Sequence, residues 1–278
     1  MKRFFLILTS IVLAASMAAI AQAGSTQFGN TYQILTPVEP SVQLIDDALA
    51  LGIDLTDAEL HEARRGWWRL ENAEYILSRN AISGHFSLLK KEPQPSEWKR
   101  YEIGNEPVSE IDLHDEAEDL LELLGVPLDE IREIKVERIV GQTEDEIGND
   151  VGEPTTENFL LYTVRELDGY YVSGSNAKLM FSPEGELQEI TIRWRNVDKE
   201  LIASEPLIAL ELLEEESRNE CEAEAEYSKT SLTLFYAGFA YVEANASEAQ
   251  ETFEMQYAYR CGFEDSPIYF HERSAIKR

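Results

Sequence analysis

The apolar positions of this chain begin as an unbroken run, pass to a helical spacing of three and four, and later alternate. Each change of period predicts a change of element. The run over residues 4–15 follows Lys2 and Arg3 and leads to Ala21-Gln22-Ala23. This is the pattern of a secretory signal peptide cleaved after Ala23. It is too short to span a bilayer, and no cysteine near the cleavage point could carry a lipid. The mature chain is therefore expected to begin near Gly24, without membrane insertion, in the periplasm or outside the cell. Residues 24–40 are polar and Pro-punctuated, which predicts an extended arm or an edge segment. Over 41–78, Leu44, Ile45, Ala48 and Leu49 recur at helical spacing, and Thr56 offers an N-cap for a second helix. That helix would carry Trp67, Trp68, Leu70, Tyr75, Ile76 and Leu77. A short strand over 82–90 and a loop with Pro93, Pro95 and Pro107 come after it.

Residues 112–124 give the clearest amphipathic helix, with Leu113, Ala117, Leu120, Leu121 and Leu124 on one side and Gly125 to end it. Strand-like runs come next at 131–140, 159–167, 170–173, 177–181 and 187–194, separated by the Asp168-Gly169 and 182–185 turns. An acidic loop is expected over 141–156. The order then repeats: a helix opened by Ser204 and Pro206 and running to about Glu226, then strands at 232–242 and 252–260 around Asn245-Ala246-Ser247. The chain thus divides into a signal peptide (1–23), a mostly helical N-terminal region (24–111), a helix-plus-sheet unit (112–200) and a helix-plus-hairpin unit (201–278). A hairpin of the last two strands returns Cys261 to the preceding helix near Cys221, and alternation puts Phe253, Met255, Tyr257, Tyr259 and Cys261 on one face. A disulfide between Cys221 and Cys261 is predicted, two buried free thiols being the alternative.

Composition narrows the function. The chain has 53 acidic and 24 basic residues, and loss of Lys2 and Arg3 takes its net charge from -29 to -31. Such a field repels nucleic acid and anionic membranes, and no basic stripe answers it. About 255 mature residues suffice for one large domain or more than one small one. No Gly-x-Ser-x-Gly elbow, Walker loop, dinucleotide fingerprint or His-Glu-x-x-His helix occurs, and His61, His85, His114 and His271 are scattered. Hence no catalytic residues, metal ligands or cofactor are assigned. The 144–150 loop is oxygen-rich but misses EF-hand spacing at Ile147 and Gly148. Trp67, Trp68, Trp98 and Trp194 fit core packing, with a sugar-stacking platform as the alternative. The helix opened by Ser204 bears many glutamates, of which Glu211, Glu215 and Glu222 are the candidate face for a basic protein partner.

The stretch Gly169-Tyr170-Tyr171-Val172-Ser173-Gly174-Ser175, then 177–181, 183–187 and 190–194, resembles the second half of a PepSY-type domain. That superfamily includes the pro-regions of secreted thermolysin-like peptidases. With the helix at 112–124 the resemblance spans residues 112–197. It implies an α+β fold in which a helix packs on an antiparallel sheet, PepSY- or cystatin-like, with room for two such units beside the helical N-terminal region. It also implies binding or inhibition of a partner outside the cytoplasm, and it transfers no catalytic residues. This chain carries no peptidase domain, so the expected role is in trans. The function expected is that of an exported non-enzymatic binding or regulatory protein, modulating a peptidase or envelope component. The alternative is a secreted hydrolase that acts on a glycan through carboxylates.

Overall fold

The computed structural model describes residues 27–91, 99–144, 150–264 and 268–277. The expected signal peptide, Pro93, Pro95, Trp98 and residues 145–149 of the expected acidic loop lie outside them. The described chain is mostly β. Its strands are β1 (Phe28–Ile34), β2 (Glu59–Arg64), β3 (Trp67–Glu71), β4 (Tyr75–Asn80), β5 (Phe86–Lys90), β6 (Tyr101–Glu102), β7 (Ile131–Glu144) and β8 (Asp150–Leu167). They continue as β9 (Tyr170–Ser173), β10 (Asn176–Phe181), β11 (Leu187–Arg193), β12 (Val197–Pro206), β13 (Leu232–Val242), β14 (Thr252–Glu254), β15 (Gln256–Phe263) and β16 (Tyr269–Ser274). The helices are α1 (Pro40–Ala50), α2 (Glu110–Leu123) and α3 (Leu210–Ser228).

The expected α+β class, a helix-on-sheet fold with a helical N-terminal region, is overturned. Only α1 of the 41–78 stretch is helical. Asp57 turns the chain at φ 62°, and the Thr56 amide is taken by Asp54 Oδ1 at 2.8 Å rather than opening a helix. Beyond that turn the chain runs as the meander β2-β3-β4-β5, whose apolar residues align across strands instead of along a helix. Leu60 pairs with Leu70, Leu70 with Leu77, and Leu77 with Leu88. The ladder continues through Ile190, Leu179, Leu161 and Val136. Apolar residues that look helical in one strand are thus the inward residues of successive strands.

The sheet that carries this ladder has thirteen strands, with β16 and β2 at the ends of its main path, and a three-stranded sheet orders β12-β1-β14. The arm expected at 24–40 therefore contributes the middle strand of the small sheet. Strand β12 takes up residues expected to open the last helix, which begins only at Leu210. The acidic loop is shorter than expected, because β7 and β8 extend into a long hairpin that pairs out to Glu144 and Asp150. Parallel pairing of Tyr241 with Val172 and Val242 with Ser173 joins β13 to β9, so both halves share one sheet.

Helices cover one face of this sheet. Helix α2 starts at a capping box in which Ser109 Oγ accepts from the Asp112 amide at 3.1 Å. Gly125 lies just past its end at φ 77°. Its Leu113, Ala117 and Leu121 join Leu44 and Ala48 of α1 in a core over Leu70, Leu77, Leu88, Leu161, Leu179 and Ile190. A second core forms beneath α3. There Leu213, Ser217, Cys221 and Ala225 are buried at a spacing of four, and Cys221 is bonded to Cys261 of β15 with their Cα atoms 5.9 Å apart. The small sheet is tied on through Asp168, whose carboxylate accepts from the Tyr32 hydroxyl, from Asn30 Nδ2 at 2.8 Å and from the Tyr241 hydroxyl at 3.2 Å. Burial, together with that carboxylate, pushes the Tyr32 hydroxyl up to about 12.

Candidate functional site

A strand has two faces, and the residues beside the apolar ladder point the other way. His61, Arg69, Ser78, Ser87 and Thr191 lie side by side across β2, β3, β4, β5 and β11. They line a groove of about 940 Å³, which also takes in Arg64, Trp67 and Arg193. Residues 243–246, just after β13, and Gly174 complete its lining. Gly174 has φ +88°, and a Cβ there would lie 2.8 Å from the Glu243 carbonyl oxygen, so glycine is what lets the wall approach. The Glu243 amide closes the contact by donating to the Ser173 carbonyl at 2.8 Å.

Behind the groove runs a network of buried charges. Glu243 is its hub: one carboxylate oxygen meets His85 Nε2 at 2.6 Å, and the other accepts from the Ser175 hydroxyl. Arg165, wholly buried on β8, donates through Nη1 to Ser175 Oγ at 3.0 Å and through Nη2 to the Arg195 carbonyl at 3.0 Å. Its Nε and Nη2 bond Glu130 at 2.9 and 2.7 Å, and the guanidinium stacks on Trp194 at 4.5 Å. Arg195 fixes the groove wall by donating to the carbonyls of Asn245 at 2.9 Å and Glu248 at 2.8 Å. Two carboxylates and two guanidiniums thus balance inside the protein. Burial alone would raise the Glu243 pKa. The hydrogen bonds from His85 and Ser175, aided by the charges of His85 and Arg165, reverse this and hold it below the usual glutamate range. Burial lowers the pKa of both arginines against their carboxylate partners.

This wiring constrains the chemistry. In a Ser-His-Asp/Glu triad an imidazole stands between the hydroxyl and the carboxylate. Here the carboxylate stands between Ser175 and His85, and Ser175 Oγ is also held by Arg165. The second glutamate of the groove, Glu62, accepts the Gly66 amide at 2.9 Å. Both groove glutamates are thus held by hydrogen bonds.

The residues singled out from sequence are dispersed. Glu211, Glu215 and Glu222 are exposed on α3 and enter no ion pair among the described residues. They are distinct from the groove lining. Among the described tryptophans, Trp67 lines the groove, whereas Trp194 is buried in the first core and Trp68 packs against that core. On α2, ligand atoms of His114, Asp115 and Glu118 lie within 4.8 Å of one another at the surface, and Asp115 and Glu118 are exposed. Sequence reasoning missed Glu130, Arg165, Ser175, Arg195 and Glu243, and left His85 unassigned. One signal was present, since Arg165 falls in the inward phase of Phe159, Leu161, Thr163 and Leu167 on β8. A charge at an apolar-phase position calls for buried partners.

No protein-family model matches the chain, and no curated protein matches it. Among solved structures it is similar to an uncharacterized protein from Eubacterium rectale ATCC 33656, at 9% identity over 90% of this chain and 84% of that one, with a TM-score of 0.48. It is also similar to the Bacillus megaterium YpeB C-terminal domain, at 12% identity over 87% of this chain and 95% of that one, with a TM-score of 0.37.

Proposed function

We propose that this chain is an exported, non-enzymatic binding protein that modulates an extracytoplasmic partner, such as a peptidase or envelope component, by holding a segment of it in the groove. The observation that carries the reading is a groove of about 940 Å³ with a pre-paired charged floor. That volume lies at the upper end of the range for ligand sites, about 300–1,000 Å³. A floor ordered before the ligand arrives lowers the entropic cost of binding. Export rests on the N-terminal pattern. The Cys221–Cys261 bond is compatible with an oxidising compartment. Among the described residues no helix is long and apolar enough to cross a membrane. The PepSY-type likeness of residues 112–197 is in keeping with a binding role.

A photo-crosslinking residue in place of Ser87, in the groove, is compared with one in place of Glu222 on α3, using the mature protein in its native envelope. The expected result is a discrete adduct from position 87. An adduct from position 222 alone would move the partner to the acidic helix. Release of reducing ends from envelope glycans by the purified protein would instead support the hydrolase.

A further inference from the structure

The groove has the opposite character to the molecule around it. In a chain with more than twice as many acids as bases, its lining carries Arg64, Arg69 and Arg193, with the imidazoles of His61 and His85, against Glu62 and Glu243. Both glutamates already accept hydrogen bonds. The arginines are less engaged. Arg64 and Arg193 form no ion pair with any carboxylate among the described residues, although acids are abundant. Arg64 is braced over the Trp67 ring at 4.9 Å. Among the described residues Arg69 pairs with no carboxylate but Glu71, at 3.7 Å, which Lys91 holds more closely at 2.8 Å, and its buried Nε has no hydrogen-bond partner there. Beside these guanidiniums stand the hydroxyls of Ser78 and Ser87, which can donate to an anion, whereas that of Thr191 donates to Glu189 Oε1 at 3.3 Å.

We infer that the groove is an anion site and that its ligand is an acidic peptide segment, whose carboxylates seat on Arg64, Arg69 and Arg193. This rests on the binding role proposed above and names the chemistry of the same site. The guanidinium fork matches a carboxylate in bidentate geometry. Extent favours a peptide over a free inorganic anion: the lining crosses β2, β3, β4, β5 and β11, about 19 Å at the spacing of paired strands. That span accommodates about six extended residues. The surrounding negative field opposes distant approach of any anion, and at about 0.15 M salt it is screened beyond about 8 Å. Contacts inside the groove are shorter than that. The field thereby disfavours anions that do not reach the arginines.

Calorimetric titration of the mature protein at about 0.15 M salt tests this with hexaglutamate, hexalysine and inorganic phosphate as probes. Hexaglutamate is expected to bind. Phosphate at the same concentration should give no heat, and hexalysine should not enter the groove. Arg69→Ala with Arg193→Ala should weaken hexaglutamate at least tenfold, and Arg64→Ala, at an exposed side chain, should weaken it independently. Arg260→Ala, outside the groove lining, should leave binding unchanged. Unaltered circular dichroism and melting temperature identify variants that fold. Hexaglutamate affinity insensitive to Arg64→Ala and to the folded double variant would overturn the assignment, as would phosphate binding as well as the peptide. A crosslink from position 87 to a segment without carboxylates would overturn it too, yet leave the binding role standing.

Discussion

At the scale of single residues, Glu243 governs the most. Removing its charge leaves His85, Arg165 and Arg195 facing one another without it, and breaking a buried ion pair by losing one partner costs about 3–5 kcal/mol. Glu243→Gln is therefore expected to lower unfolding stability by about that amount near pH 7, read from the urea midpoint. An unchanged midpoint would show that the cluster contributes nothing. The pH dependence carries a second signature. The folded-state pKa of Glu243 lies below its ordinary value of 4.5. Its stabilisation is thus complete above that value and is lost as pH falls through the lower native one. The variant should show a shallower acid limb than the parent chain. Little of this site was legible in sequence, because its members come from the β4–β5 turn, the residue before β7, β8, the β9–β10 turn, the segment between β11 and β12, and the residue after β13. Only Arg165, a cation in the inward phase of a strand, announced that partners must exist.

At the scale of elements, α3 is the one most dependent on its attachments. Its outer face carries like charges that repel, and glutamates near its C-terminus oppose the helix dipole. It is held by the narrow stripe Leu213, Ser217, Cys221 and Ala225, the Ser217 Oγ contact to the Tyr257 hydroxyl at 2.9 Å, and the disulfide. A 40-residue separation corresponds to about 4 kcal/mol in the chain-entropy model. Reduction, or Cys221→Ala with Cys261→Ala, should cost about that much. Hydrogen exchange should show α3 loosening before the meander, and thiol titration of the unreduced, denatured chain should find no reactive thiols. The cysteine pairing of this half was readable because β15 alternates from Gln256 to Cys261 and places Cys261 opposite Phe235, whereas the expected 252–260 strand is split into β14 and β15 and β16 was not foreseen. The meander was misread because its strands are short, and Leu70 and Leu77 satisfy a helical spacing as well as a cross-strand one. Only the turns at Asp57 and Gly66, both at positive φ, separate the two readings.

At the scale of the whole molecule, the excess of acid acts on everything. A net charge of -29 on the full chain destabilises the compact state by self-repulsion. Raising salt from about 0.01 M to about 0.15 M shortens the screening length from about 30 to about 8 Å. The melting temperature should therefore rise with salt, whereas a fall would mean that surface ion pairs outweigh the repulsion. The sequence by itself determined what depends on local chemistry and averages: the export signal as an expectation, the acidity, the α2 helix with its glycine stop, the strands from 131 to 194, and the cysteine pair. The tertiary structure alone decided that β9 and β13 pair in parallel, that the two halves share a sheet, and that Arg64, Arg69 and Arg193 converge on an open face. Those outcomes depend on register. A one-residue slip in a strand exchanges its faces, and register is fixed by how the whole apolar ladder fits beneath α1 and α2, which no local window of sequence contains.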